Sequence, residues 1–173
     1  MRLPSILLGT GAEEDIEVPV DLFASLDVGA STVFVIENEI DFLAFPKREQ
    51  SMAVFGAGYG FAWARAPWLQ RMAVHYWGDI DTHGFAILDG LRSTLPHARS
   101  LLMDRETLIA HRTAWVQERS PARRDLGRLT AEETALYDDL RCDRLGKRVR
   151  LEQERVRYSW LELALNGLEW VDP

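Results

Sequence analysis

A single cysteine, Cys142, among 173 residues rules out an internal disulfide and any zinc centre built on several thiolates. That scarcity agrees with a reducing cytoplasm. No apolar run approaches the ~18–20 residues that a bilayer-spanning helix needs, so no membrane partner is expected. The first residues offer only Arg2 and a short Ile6-Leu7-Leu8 patch before a run of acids, too little for a signal peptide. Repeats and low-complexity tracts are missing as well. Positive charge is scarce early on: residues 1–104 carry 7 Lys+Arg against 14 Asp+Glu. The whole chain has a net charge of −7, which argues against nonspecific adhesion to nucleic acid.

The chain does have material for a full core, at 47% hydrophobic, and a length that suits one domain. Its apolar runs alternate with helical spacing. Ser31 to Ile36 is β-branched and continuous, the mark of a strand buried on both faces. Ile40 to Phe45 reads as a short helix, Met52 to Phe55 as a second strand, Phe61 to Leu69 as helix-like and Met72 to Trp77 as a third strand. Phe85, Leu88, Leu91 and Leu95 share one face of a helix stopped by Pro96. Ala98 to Met103 gives a fourth strand, and a helix follows over 106–111. The alternation predicts an α/β fold: a central four-stranded, mostly parallel sheet with helices on both faces, over residues 31–112. Residues 1–30 read as a lead-in, within which Val18-Pro19-Val20 could pair at a sheet edge. Residues 113–173 read as an arginine-rich C-terminal extension. There, Thr130-Ala-Glu-Glu133 and Ser159-Trp-Leu-Glu162 have capping-box spacing, Gly146 is the expected stop of the first helix, and 149–154 alternates like a strand.

Acidic residues close two of these strands. Glu37, with Glu39 two residues on, ends the first; Asp79 and Asp81 follow the third. Side chains at i and i+2 of extended chain share a face, with about 6.6 Å between their Cα atoms. If the strands are parallel neighbours, these carboxylates converge at the end of the sheet where open α/β folds bind ligands. Clustered carboxylates raise one another's pKa unless a cation lies between them, and a few hard oxygens suit Mg²⁺ or Mn²⁺. The alternative is that Asp79 caps the next helix and Asp81 is a solvated loop acid. Glu37 could also serve as a general acid/base.

Residues 105–157 reverse the charge balance, with 13 Lys+Arg against 10 Asp+Glu. Arg141 and Arg144 share a helical face and are candidates for phosphate contact; surface pairing with Asp138 or Asp139 is the alternative. His83 could orient a phosphate or a water. Gly56-x-Gly58-x-Gly60 does not have dinucleotide-loop spacing, but Gly58 could let backbone approach a DNA phosphate. His75, on an apolar strand, reads as a core histidine.

A strand ending in Glu37, then Trp77-Gly-Asp-Ile-Asp-Thr-His-Gly84, resembles the Toprim fold of topoisomerases, primases and OLD-type nucleases, and among them topoisomerase VI A subunits and Spo11. Val35-Ile-Glu-Asn-Glu39 with Phe42-Leu-Ala-Phe-Pro46, Tyr76 to Leu88, Pro96 to Asp104, Leu140 to Gly146 and Arg150 to Arg155 are similar to the C-terminal Toprim domain of the JetD family, the nuclease subunit of the Wadjet anti-plasmid system. The resemblance covers roughly residues 20–168. It implies that Glu37, Asp79 and Asp81 are catalytic acids and metal ligands, with Glu39 a fourth acid. It implies a homodimeric, divalent-metal-dependent DNA endonuclease that cleaves double-stranded plasmid DNA handed over by an SMC, condensin-like complex. A Toprim module that only binds DNA or a partner is the alternative. That family carries N-terminal arm and DNA-binding regions before this domain, whereas residues 1–30 are all that precede it here. Topoisomerase VI chemistry needs a tyrosine on a separate helical domain; the tyrosines here lie within or beside the core, so hydrolysis is expected.

Overall fold

Residues 5–10, 15–26, 29–56 and 60–168 are described by the computed structural model. The strands expected from the apolar runs form in chain order. β1 (Ser5–Thr10) and β2 (Asp15–Pro19) are followed by the short helix α1 (Val20–Phe23), β3 (Thr32–Ile36), α2 (Glu39–Leu43) and β4 (Ser51–Phe55). After 3₁₀ turns over Trp63–Arg65 and Pro67–Arg71 come β5 (Ala73–Trp77), α3 (Thr82–Arg92), β6 (Arg99–Ser100) and α4 (Arg105–Ala110). The sheet order is β2-β1-β4-β3-β5-β6. The four strands β4-β3-β5-β6 run parallel, as expected, in a Rossmann-like arrangement. β1 adds to β4 antiparallel and β2 to β1, so residues 5–19 extend the sheet instead of only leading into it. Val18 lies in that outer strand, on the sheet edge where it was expected.

Order and connection together create the crevice. From β3 the chain moves outward to β4, then returns past β3 to β5 and continues outward to β6. β3 and β5 are therefore adjacent, yet the connections after them leave in opposite directions. Such a switch point opens a crevice at the strands' carboxyl ends. The middle strands are buried throughout: all five residues of β3 are below 4% exposed. On one face Val33, Val35, Val74 and Tyr76 pack with Phe85, Leu88 and Leu91 of α3. On the other, Phe34, Ile36 and Trp77 pack with Phe42 and with Leu161 and Leu165 of α6 (Tyr158–Asn166).

Several local expectations change. Residues 61–69 form 3₁₀ turns because Pro67 has no N–H to continue an α-helix. β6 has two paired residues, not six. α5 (Ala131–Arg141) has the predicted box between Thr130 and Glu133, but it ends at Arg141 and not at Gly146. Gly146, at φ +145°, serves the turn that follows. In the extension β7 (Val116–Gln117) pairs with β8 (Val149–Arg150), and 153–155 is a 3₁₀ turn in place of further strand. α6 begins at Tyr158 behind Arg157, with no side-chain cap, so the second capping box does not form.

Candidate metal and catalytic site

Glu37 leaves β3 level with the end of β5: its N–H donates to the carbonyl of Trp77 at 3.2 Å. Beyond it Asn38 caps α2, accepting from the N–H groups of Ile40 and Asp41, which turns the chain out of the sheet at once. Glu37 Oε2 accepts a hydrogen bond from Tyr76 Oη at 2.6 Å. Burial pushes the Glu37 carboxyl above its usual range; Tyr76 opposes that shift, and nearby Asp79 adds to it. The Tyr76 phenol is itself buried and held well above 10, by burial first and then by Glu37. Gly78 lies against this pair, and a Cβ there would come within 2.6 Å of Glu37 Oε2.

The loop after β5 gives its two aspartates different duties. Asp81 caps α3, accepting from Gly84 N at 2.8 Å, and is 2% exposed. Asp81, not Asp79, therefore takes the capping role that the sequence left open. Gly84 makes that turn possible, because a Cβ there would run into the carbonyl oxygen of Asp79. Burial and the neighbouring buried Glu118 raise the Asp81 carboxyl to about 7. Asp79 accepts from the backbone N–H of Gln153 at 2.7 Å and from Arg150 Nη2 at 2.6 Å.

Arg150 is the residue that sequence reasoning passed over. The chain reverses against the site through paired hydrogen bonds between Ile80 and Leu151, at 2.9 and 3.1 Å. That pairing sets the Arg150 guanidinium between Asp79 and Asp81, with its Nε 3.3 Å from Asp81 Oδ2. The contact is an ion pair without hydrogen-bond geometry, so Nε is buried and unpaired. Gln153 Oε1 accepts from Asn38 N, tying the same segment to the start of α2. The one available signal was the stretch Arg150 to Arg155. Glu152 pairs with Arg155 at 2.7 Å and Glu154 accepts from Asn38 Nδ2 at 2.5 Å.

The other expected residues are spread around this centre. Glu39 is exposed in the first turn of α2. His83 Nε2 lies 2.6 Å from the Ser120 carbonyl and 3.9 Å from Glu118, in the first turn of α3. Arg141 pairs with Asp138 at 2.7 Å and Asp125 at 2.8 Å, and Arg144 with Asp139 at 3.1 Å. Gly58 lies outside the described residues. Among the described residues, no three carboxylate, imidazole or thiol groups stand in an arrangement ready to hold a metal ion.

The donor set nonetheless fits a hard dication in kind. Asp79 and Asp81 share the Arg150 guanidinium, Glu37 and Asp81 are raised by burial, and Asp41 Oδ2 is buried without a hydrogen-bond partner. One guanidinium with an unpaired Nε leaves this negative charge under-compensated. A dication would have to be held by Asp79 and Asp81 where the Arg150 guanidinium now lies.

No helix among the described residues is long and apolar enough to cross a membrane. The chain matches no curated protein. Residues 2–165 match the family model described as the C-terminal region of the Wadjet protein JetD.

Proposed function

The chain belongs to the family of JetD C-terminal domains, and from that premise we propose that it is a divalent-metal-dependent endonuclease domain acting on double-stranded plasmid DNA. The observation that carries the reading is that β3 and β5, which run into Glu37 and into Asp79 and Asp81, are adjacent parallel strands at the switch point. In this Toprim-type site Glu37, Asp79 and Asp81, with Glu39 nearby, hold Mg²⁺ or Mn²⁺. A cation bound there polarises the phosphate and makes a hydroxide available at neutral pH.

The chain's own groups supply the remainder. Tyr76 fixes one oxygen of Glu37, and, as the alternative to metal ligation, burial keeps that carboxyl basic enough to accept a proton from the attacking water. The water oxygen bonds to phosphorus as the bond to the leaving sugar oxygen breaks, and the proton ends on that oxygen. Tyr76, buried and donating to Glu37, is not available as a nucleophile, which favours hydrolysis over transesterification. Arg141 and Arg144 meet the DNA backbone by exchanging carboxylate partners for phosphate. The exchange is inexpensive because exposed ion pairs are worth only about 0–1 kcal/mol. His83 orients a phosphate or a water. In this reading the domain works in the cytoplasm as a homodimer, together with an SMC, condensin-like complex of the same defence system.

One observation favours the alternative, a non-catalytic DNA- or partner-binding module: Arg150 already stands where the cation would. Incubation of supercoiled plasmid with the protein and Mn²⁺ or Mg²⁺ separates the two. Nicking is expected, with a loss of at least about a hundredfold, roughly 3 kcal/mol, in Glu37→Gln and Asp79→Asn. Nicking by both variants at the wild-type rate would refute the assignment.

A further inference from the structure

The sheet has a second hollow at its other end. A cavity of about 550 Å³ opens at the amino ends of β3 and β5, where Ser31 and Met72 precede the strands. Five strand residues at ~3.3 Å each separate it from the acidic crevice by roughly 16 Å. It exists because helix cover runs out: α6 packs on Phe34, Ile36 and Trp77 but stops at Asn166, and Leu168 forms the cavity's rim. His75 shares the Phe34 face of the sheet, its ring stacked on Phe34 at 5.5 Å between centroids.

The lining has a one-sided chemistry. Arg71, Arg99, His75 and His97 face the cavity together, and among the described residues no carboxylate does. In the half of the chain where acids outnumber bases two to one, that segregation concentrates positive potential in one concave place. Among the described residues Arg71 and Arg99 make no ion pair, whereas Arg92, Arg105, Arg128, Arg141 and Arg144 all do. His75 is 8% exposed and has no hydrogen-bond partner among the described residues. Burial and the adjacent Arg99 hold the His75 imidazole below its ordinary range, so the ring is neutral and can donate one hydrogen bond. Met72, Ala30 and Leu168 supply apolar wall beside these nitrogens.

We propose that this cavity binds an organic phosphate of nucleotide size. Arg71 and Arg99 hold the phosphoryl oxygens, His75 donates to the same group, and the apolar wall receives the base. Guanidinium forks match phosphate geometry, and the volume lies within the ~300–1,000 Å³ usual for small-molecule sites. Inorganic phosphate alone would leave the apolar wall bare, and the hollow is too confined to follow a duplex. None of these residues belongs to the acidic crevice, so the proposal is independent of the nuclease reading.

Calorimetry of the full chain with AMP, and with thymidine monophosphate because nothing in the cavity selects a base, tests it. EDTA is present so that no metal can bridge the nucleotide to Glu37. Binding with Kd below about 1 mM is expected, with adenosine and inorganic phosphate each at least about tenfold weaker. The double variant Arg71→Gln/Arg99→Gln should lose at least about tenfold in affinity. Both guanidiniums are exposed, so its melting temperature without ligand should match that of wild type. Absence of nucleotide binding at millimolar concentration overturns the proposal. Undiminished binding by the double variant, or phosphate binding as tightly as AMP, does so equally.

Discussion

Arg150 changes what the three acids mean. On paper Glu37, Asp79 and Asp81 form an acidic set in search of a cation, and their spacing after two strands makes that legible. The partner that meets the aspartates comes from 71 residues beyond Asp79, carried there by the Ile80–Leu151 pairing. No local pattern announces such a contact, because its cause is a backbone reversal and not a run of residue types. A separation of 39 residues likewise hides Tyr76 as a partner of Glu37, since strand register decides that contact. Removing one member of a buried ion pair costs roughly 3–5 kcal/mol. Arg150 is about a third exposed, so Arg150→Ala should lose about 1–2 kcal/mol in chelated buffer. Adding Mn²⁺ should then raise the melting temperature of Arg150→Ala more than that of wild type, because the ion no longer competes with a guanidinium. Equal Mn²⁺ shifts in both proteins would show that Arg150 and the ion do not share a position.

At the scale of elements, legibility follows how local the cause is. β3 and β5 are read correctly because a strand buried on both faces must be apolar throughout. The Thr130–Glu133 box is read correctly because both of its hydrogen bonds close within one turn. The β1–β2 hairpin is not, since β1 finds its place by pairing with β4, about forty residues later in the chain. The box at Ser159 fails for a similar reason. The turn over Gln153–Arg155 that locks onto Asn38 and Asp79 fixes how the chain enters α6, and the helix begins two residues too early to use it.

The α5 box also reaches beyond its own helix. Glu133 accepts from Arg92 Nη1 and Nη2 in α3 and from Ser100 Oγ at 2.7 Å in β6, joining three elements through one buried carboxylate. Burial pushes the Glu133 carboxyl up, but the hydrogen bonds from Arg92, Thr130 N and Ser100 outweigh it and hold the pKa below 4.5. A depressed carboxyl contributes stability above its unfolded value, and that stability is lost as pH falls through the folded value. Unfolding in urea should therefore show Glu133→Gln about 2–4 kcal/mol less stable than wild type at pH 7. The gap should narrow below pH 4.5. A constant gap across that range would mean that the neutral hydrogen bonds, and not the charge, join α3, β6 and α5.

Over the whole molecule, charge limits how DNA can be held. A chain at −7 repels the phosphate backbone everywhere except where cations are gathered, and much of its basic region is spent on its own acids. If Arg141 and Arg144 hold a duplex, they do so by exchanging these carboxylate partners for phosphate. Each neutralised phosphate contributes about −0.9 to the slope of log affinity against log salt. Two contacts, at Arg141 and Arg144, predict a slope near −2 and roughly a tenfold loss between 50 and 200 mM salt. Fluorescence anisotropy with a labelled duplex measures it directly, and Arg141→Gln should reduce the slope by about one. A slope steeper than about −4 would move the DNA path to other cations, the arginines at 123–128 being the nearest such group in sequence to Asp125, the exposed partner of Arg141. A flat dependence would separate DNA engagement from this domain altogether and leave the acidic crevice to act on DNA that another subunit holds.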